Sequence, residues 1–155
     1  MTTLRPDKLA LIAAATIAIS ACNGDKAAEP TVSEAEQTLK QHITALAGPG
    51  VGNMRNVKII DHGGKSVHCA NGKAKRTYAV VGDKRDRTDR SPTDLSGILL
   101  GLLVTQVAKY DLTHSNGGDA RISVHHKTAR TNLTINSSSR GVVGIYGVTD
   151  CLRVH

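Results

Sequence analysis

The stretch Ser91–Tyr110, SPTDLSGILLGLLVTQVAKY, separates two groups of predicted strands and so sets the architecture of the chain. Ser91-Pro92-Thr93-Asp94 predicts a helix start, because Ser can cap free amides and Pro at the first helical position leaves no amide unpaired. Its apolar run, 98–104, is far shorter than the roughly 20 residues of a membrane span. We predict a core helix, and a groove for a partner or lipid remains the alternative. The helical spacing is carried by Leu95, Ile98, Leu99, Leu102, Leu103, Gln106 and Tyr110.

A first helix is predicted over residues 33–47. Ser33-Glu34-Ala35-Glu36 fits a capping box, in which a hydroxyl and a carboxylate satisfy each other's backbone amides. Apolar residues then recur on one face, and Gly48-Pro49 ends the helix.

The remaining periodic segments predict strands. Residues 57–60, 66–70 and 73–81 precede the second helix, and residues 120–126, 131–135 and 141–148 follow it. Asn71-Gly72 between two extended runs predicts a tight hairpin, because both central residues of a type I′ turn need positive φ. The expected fold class is α+β, in the order α-β-β-β-α-β-β-β. The simplest such fold has two helices on one face of an antiparallel sheet of about six strands.

The N-terminus has the parts of an export signal. Arg5 and Lys8 form a positive head, and an apolar segment runs from Leu9 to Ile19. The following Ile19-Ser20-Ala21-Cys22 resembles the lipobox of bacterial lipoproteins. The resemblance implies cleavage before Cys22, acylation of its sulfur and anchoring in a lipid bilayer, and Asn23 favours the outer membrane facing the periplasm. An ordinary secretory signal with a chance cysteine is the alternative.

These assignments divide the chain into three parts. Residues 1–21 would be a cleaved signal peptide, residues 22–32 the lipidated cysteine with a flexible tether, and residues 33–155 a single domain. With Cys22 acylated, Cys69 and Cys151 remain, and in an oxidising periplasm this pair predicts a disulfide. Two free buried thiols are the alternative.

The charge and the aromatic content of the chain limit the classes of partner that we predict. The net charge of +7 favours anionic surfaces without identifying a ligand. The chain has three tyrosines and no Phe or Trp. Proteins that bind single-stranded nucleic acid stack its bases on aromatic rings, so this composition argues against a nucleic-acid partner. An envelope protein is the other partner class that we predict. A solvated loop is the alternative to an anionic-surface patch formed by Lys73, Lys75, Arg76, Lys84, Arg85, Arg87 and Arg90.

No pattern in the sequence indicates catalysis, a cofactor or a metal. His125 and His126 are adjacent on a predicted strand, so their side chains should point to opposite faces and not share an ion. We therefore predict a non-enzymatic binding or structural lipoprotein. The alternatives are an inhibitor of a wall-degrading or host hydrolase, acting through loop 82–90 or 114–119, and a hydrolase whose site only the fold assembles.

Overall fold

A computed structural model describes residues 28–84, 90–115 and 120–155. The helices are α1 (Val32–Ala47) and α2 (Pro92–Leu102), and a π-helical segment, Leu103–Val107, continues α2. The strands are β1 (Arg55–Asp61), β2 (Val67–His68), β3 (Lys73–Lys75), β4 (Thr77–Asp83), β5 (Asp111–Ser115), β6 (Arg121–His126), β7 (Thr131–Ser137), β8 (Val142–Thr149) and β9 (Leu152–Arg153).

The strands form a six-stranded antiparallel sheet in the order β1-β4-β8-β7-β6-β5 and a small sheet in the order β2-β3-β9. The predicted α+β class with two helices on an antiparallel sheet is confirmed, and the second sheet was not expected. The predicted strand 73–81 is interrupted at Arg76, so that β3 lies in the small sheet and β4 in the large one. Strands β5 and β9 were missed, because β5 is exposed along its whole length and β9 has two residues.

The helix starts follow local capping rules, with one shift in register. Ser91 caps α2 as predicted, accepting a hydrogen bond from the Asp94 amide. The capping box of α1 is formed by Thr31 and Glu34, not by Ser33 and Glu36. The shift has a tertiary cause, because Glu36 is buried and bonds to other parts of the fold.

Both helices pack on the same face of the large sheet. In α2 the buried residues are Leu95, Ser96 and Leu99, which confirms the core role of this helix. Helix α1 approaches β8 so closely that a Cβ on Gly147 would lie 2.6 Å from Leu39 Cδ1. The sheet contributes to this core the side chains of Tyr78, Val80, Ile122, Val124, Leu133, Ile135, Val143 and Ile145.

The disulfide predicted between Cys69 and Cys151 is present. It was expected to join the last strand to the first sheet segment. It instead staples the small sheet, because Cys69 follows β2 directly and Cys151 precedes β9. The Asn71-Gly72 hairpin before β3 is confirmed, with φ of 59° and 67° at its two central residues.

Candidate functional site

An apolar groove of about 320 Å³ lies between the C-terminal end of α1 and strand β1. Gly48-Pro49 ends the helix, and the chain then folds back, with the Met54 amide donating to the Ala47 carbonyl at 3.1 Å. This return places Met54 and β1 opposite the helix end. The lining residues are Thr44, Ala47, Gly48, Pro49, Met54, Val57, Ile59, Tyr78 and Val80.

Two aliphatic side chains of β1 form an accessible wall of the groove. Val57 is 43% and Ile59 44% exposed, and both lie on a strand at the edge of the large sheet. Single exposed aliphatic residues are ordinary on protein surfaces, but two that line one concavity make it a candidate binding surface. The groove therefore offers apolar contact area that the described part of the chain does not cover.

Strand β1 is poorly suited to pairing with another strand. Its register against β4 shifts twice, between Arg55 and Lys58 and between Ile59 and Asp61. Asn56 has a left-handed φ of 51°, and its side-chain amide donates to Asp83 at 2.9 Å. Irregularities and an edge lysine are features that discourage strand addition. The side-chain groove, rather than the backbone edge, is thus the feature that can bind a ligand.

Two hollows adjoin the groove. A polar one of about 400 Å³ is lined by Pro49, Asn53, Met54 and Arg55, which places an exposed guanidinium beside the apolar walls. A wider one of about 620 Å³ shares Thr44, Gly48 and Pro49 with the groove. It is shallow, so it would enclose a ligand less completely than the groove does.

A second cluster joins α1, the segment before β5, the end of β6 and the start of β7. His42 Nδ1 lies 3.0 Å from Tyr110 Oη, which lies 3.1 Å from Thr131 Oγ1. The His126 ring is 5.6 Å from the His42 ring and 5.1 Å from the Tyr110 ring, centroid to centroid. Burial raises the pKa of Tyr110 to about 12, so its hydroxyl stays neutral. Burial, and then the charge of His126, lower the pKa of His42.

The chemistry of this histidine cluster favours a structural role. His126 Nδ1 accepts a hydrogen bond from the Ala129 amide at 3.1 Å, so the neutral ring carries its proton on Nε2 and offers no free lone pair to a metal. The Thr131 hydroxyl is fully buried, so a substrate cannot reach it. Within residues 28–84, 90–115 and 120–155, no group of three His, Cys, Asp or Glu side chains could hold a metal ion.

Two of the seven residues of the predicted anionic-surface patch are held in contacts inside the fold. Arg76 pairs with the buried Glu36 at 2.8 Å, and Lys84 is only 4% exposed, with its ammonium donating to the Gly52 carbonyl. Arg76 and Lys84 therefore stabilise the fold, and the prediction that they bind an anionic surface is corrected for these two residues. Lys73 and Lys75 lie on β3, and Arg90 is exposed just before α2. Arg85 and Arg87 lie outside the described residues.

Other predicted functional segments also fall outside the described part of the chain. Cys22 lies there, as do residues 85–89 of loop 82–90 and residues 116–119 of loop 114–119. Sequence reasoning missed the groove and the histidine cluster. The alternation of Val57 and Ile59 is the sequence signal nearest to the groove, but by itself it predicts only a strand. The histidine cluster unites residues from three elements and one connecting segment, so no local pattern in the sequence indicates it.

Comparisons with known proteins identified no relative of this chain. No protein-family model, curated protein or solved structure matches this chain. Across the described ranges, neither helix is long and apolar enough to cross a membrane.

Proposed function

We propose that this protein is a bacterial envelope lipoprotein, anchored through acylated Cys22, whose domain binds a segment of a partner protein without catalysing a reaction. The anchor is supported by the lipobox resemblance of Ile19-Ser20-Ala21-Cys22. The binding role is supported by one observation above all, the apolar groove between α1 and β1.

The position of the groove suits a tethered binding module. The described chain enters the domain at residues 28–31, directly before α1, and the groove lies at the other end of that helix. A helix of 16 residues is about 24 Å long. The groove would therefore face away from the attachment point and remain accessible to a partner in the periplasm.

The groove also defines the chemistry of its occupant. Full burial of a Val or Ile side chain stabilises by about 1.5–3 kcal/mol, so covering the exposed halves of Val57 and Ile59 contributes about 1 kcal/mol each. Together they account for roughly 30-fold in affinity. Arg55 at the adjoining hollow favours a carboxylate. The occupant is a protein segment that carries aliphatic side chains next to an Asp or Glu.

Site-specific photocrosslinking of the full chain in the producing bacterium tests the binding role. A photoreactive residue at Thr44, which is exposed and lines the groove, should give a discrete protein adduct. The same residue at Leu112, which is 56% exposed on the opposite edge strand β5, is the matched control.

Three results together support the proposal: the adduct forms at Thr44 only, Ile59→Ala reduces it about fivefold, and the crosslinked peptide carries aliphatic and acidic residues. Equal capture at Thr44 and Leu112, or an adduct unaffected by Ile59→Ala, contradicts it. An adduct with a second copy of this chain would mean that the groove binds another copy of the same protein and not a different partner. The anchor has its own test, because labelled palmitate should enter the wild-type protein and not Cys22→Ser.

A further inference from the structure

The small sheet has one apolar and one basic face. Ala74 and Leu152 are register partners on the inner face, and Leu152 packs against Val32 and Ala35 of α1. Side chains alternate along a strand, so the neighbours of Ala74 and Leu152 point outward. The basic face, as we name it, carries Lys73, Lys75 and Arg153, together with Val67, which pairs with Lys75 and is 48% exposed.

The basic face lies where the N-terminal segment joins the domain. Arg153 donates to the Glu29 carbonyl at 3.4 Å, and Arg130 pairs with the Glu29 carboxylate at 3.3 Å. Only residues 23–28 separate Glu29 from Cys22 in the sequence. Even fully extended, that interval spans about 25 Å. An anchor at Cys22 would therefore keep the basic face close to the bilayer.

The surrounding carboxylates offset the charges of the basic face only in part. Within the described ranges, Lys73, Lys75 and Arg153 form no ion pair. Glu29 and Asp150 both pair with Arg130 instead, at 3.3 and 3.1 Å. Glu34 forms no ion pair with Arg153, but its carboxylate is close enough to offset part of that one positive charge. The surface thus offers three cations and, beside Lys75, one exposed aliphatic side chain, a combination that suits lipid headgroups and the carbon chains just beneath them.

We propose that the basic face lies against the anionic headgroups of the membrane that holds the anchor, so that the domain sits in one orientation with the groove directed away. This inference rests on the proposed function for the anchor. Each Lys or Arg near an anionic surface contributes roughly a fivefold gain in membrane association, which salt screens.

The test uses the full lipidated protein in vesicles of phosphatidylcholine alone and in vesicles with 30% phosphatidylglycerol. An amine-reactive reagent is applied, and the rate of modification of Lys75 is compared with that of Lys58, an exposed lysine on β1. Modification of Lys75 should slow several-fold in the anionic vesicles at low salt and recover at 0.5 M salt, while Lys58 should not change. Equal rates at Lys75 in both vesicles would overturn the proposal.

A matched pair of charge reversals tests whether this particular surface, and not the net charge of the protein, determines contact with the membrane. Arg153→Glu should abolish the protection of Lys75, and Arg90→Glu, which reverses an exposed arginine before α2, should preserve it. Equal loss in both variants would mean that only the total charge matters, and the orientation would then be wrong.

The intact mass of the purified protein shows independently whether Cys22 is acylated. If the chain carries no acyl groups, it should still sediment with the anionic vesicles at low salt. Arg153→Glu should then weaken that sedimentation by about 25-fold, since one positive charge is lost and one negative charge is gained. No sedimentation of the unacylated protein would overturn the inference on its own.

Discussion

The pair Gly63 and Gly64 allows backbone strain to be separated from steric disruption of a buried ionic network. Both have left-handed φ, at 71° and 80°. A Cβ at position 63 would lie 2.2 Å from Glu36 Oε1 and 2.9 Å from both Lys40 Cε and the Thr77 carbonyl, whereas a Cβ at position 64 meets nothing within 4 Å. The two Gly→Ala variants therefore share the strain but differ in their contacts.

The Glu36 network sets the magnitude of the difference. Its carboxylate pairs with Lys40 and Arg76, each at 2.8 Å, and accepts the Gly64 amide at 2.5 Å. Breaking a buried ion pair costs about 3–5 kcal/mol, and the partial exposure of Lys40 and Arg76 places this case at the lower end. Left-handed strain adds about 1 kcal/mol. We expect Gly63→Ala to lose about 4 kcal/mol and Gly64→Ala about 1 kcal/mol.

Urea unfolding followed by far-ultraviolet circular dichroism measures both free energies, and the slope with urea should be unchanged. Burial alone would raise the pKa of Glu36, but hydrogen bonds from Lys40, Arg76 and Gly64 lower it overall. Its contribution to stability is therefore present above the ordinary value of 4.5 and is lost as pH falls through the folded-state pKa. The loss of stability at low pH should therefore be smaller in Gly63→Ala than in the wild-type protein. Equal destabilisation of the two variants, within about 0.5 kcal/mol, would refute the steric argument.

Three further predictions concern the described domain. Replacing Cys69 and Cys151 by Ala should lower the free energy of unfolding by about 4.5 kcal/mol on the chain-entropy model, because the bond spans 82 positions, and urea unfolding checks this. Because the pKa of His42 is lowered, the unfolded chain binds its proton more tightly, so stability should fall as pH drops from 7 towards 5, and a pH series of unfolding curves should be flatter for His42→Gln. In thermal melts, Gly97→Ala should stabilise α2 by about 0.5–1 kcal/mol where a Cβ meets open space, whereas Gly147→Ala should destabilise by about 1–3 kcal/mol through collision with α1.

Features governed by local rules were predictable from the sequence. Ser91 and Pro92 start α2 where predicted, and Asn71-Gly72 forms the tight turn, because capping and positive φ depend on a few adjacent residues. Hydrophobic periodicity gave the α+β class because a sheet and a helix bury their apolar side chains with different periods. The pairing of Cys69 with Cys151 followed from counting, once Cys22 was assigned to the lipid.

Only the tertiary structure decided where long-range partners meet. Arg76 was predicted within one strand, but it divides the two sheets and pairs with a glutamate 40 positions earlier. Lys84 was predicted at the surface, but its ammonium finds a buried carbonyl acceptor 32 positions away. The groove likewise needs the end of α1 and the edge strand β1 to face each other. Burial, charge pairing and concavity depend on elements brought together by folding, and no local spacing in the chain specifies those distances.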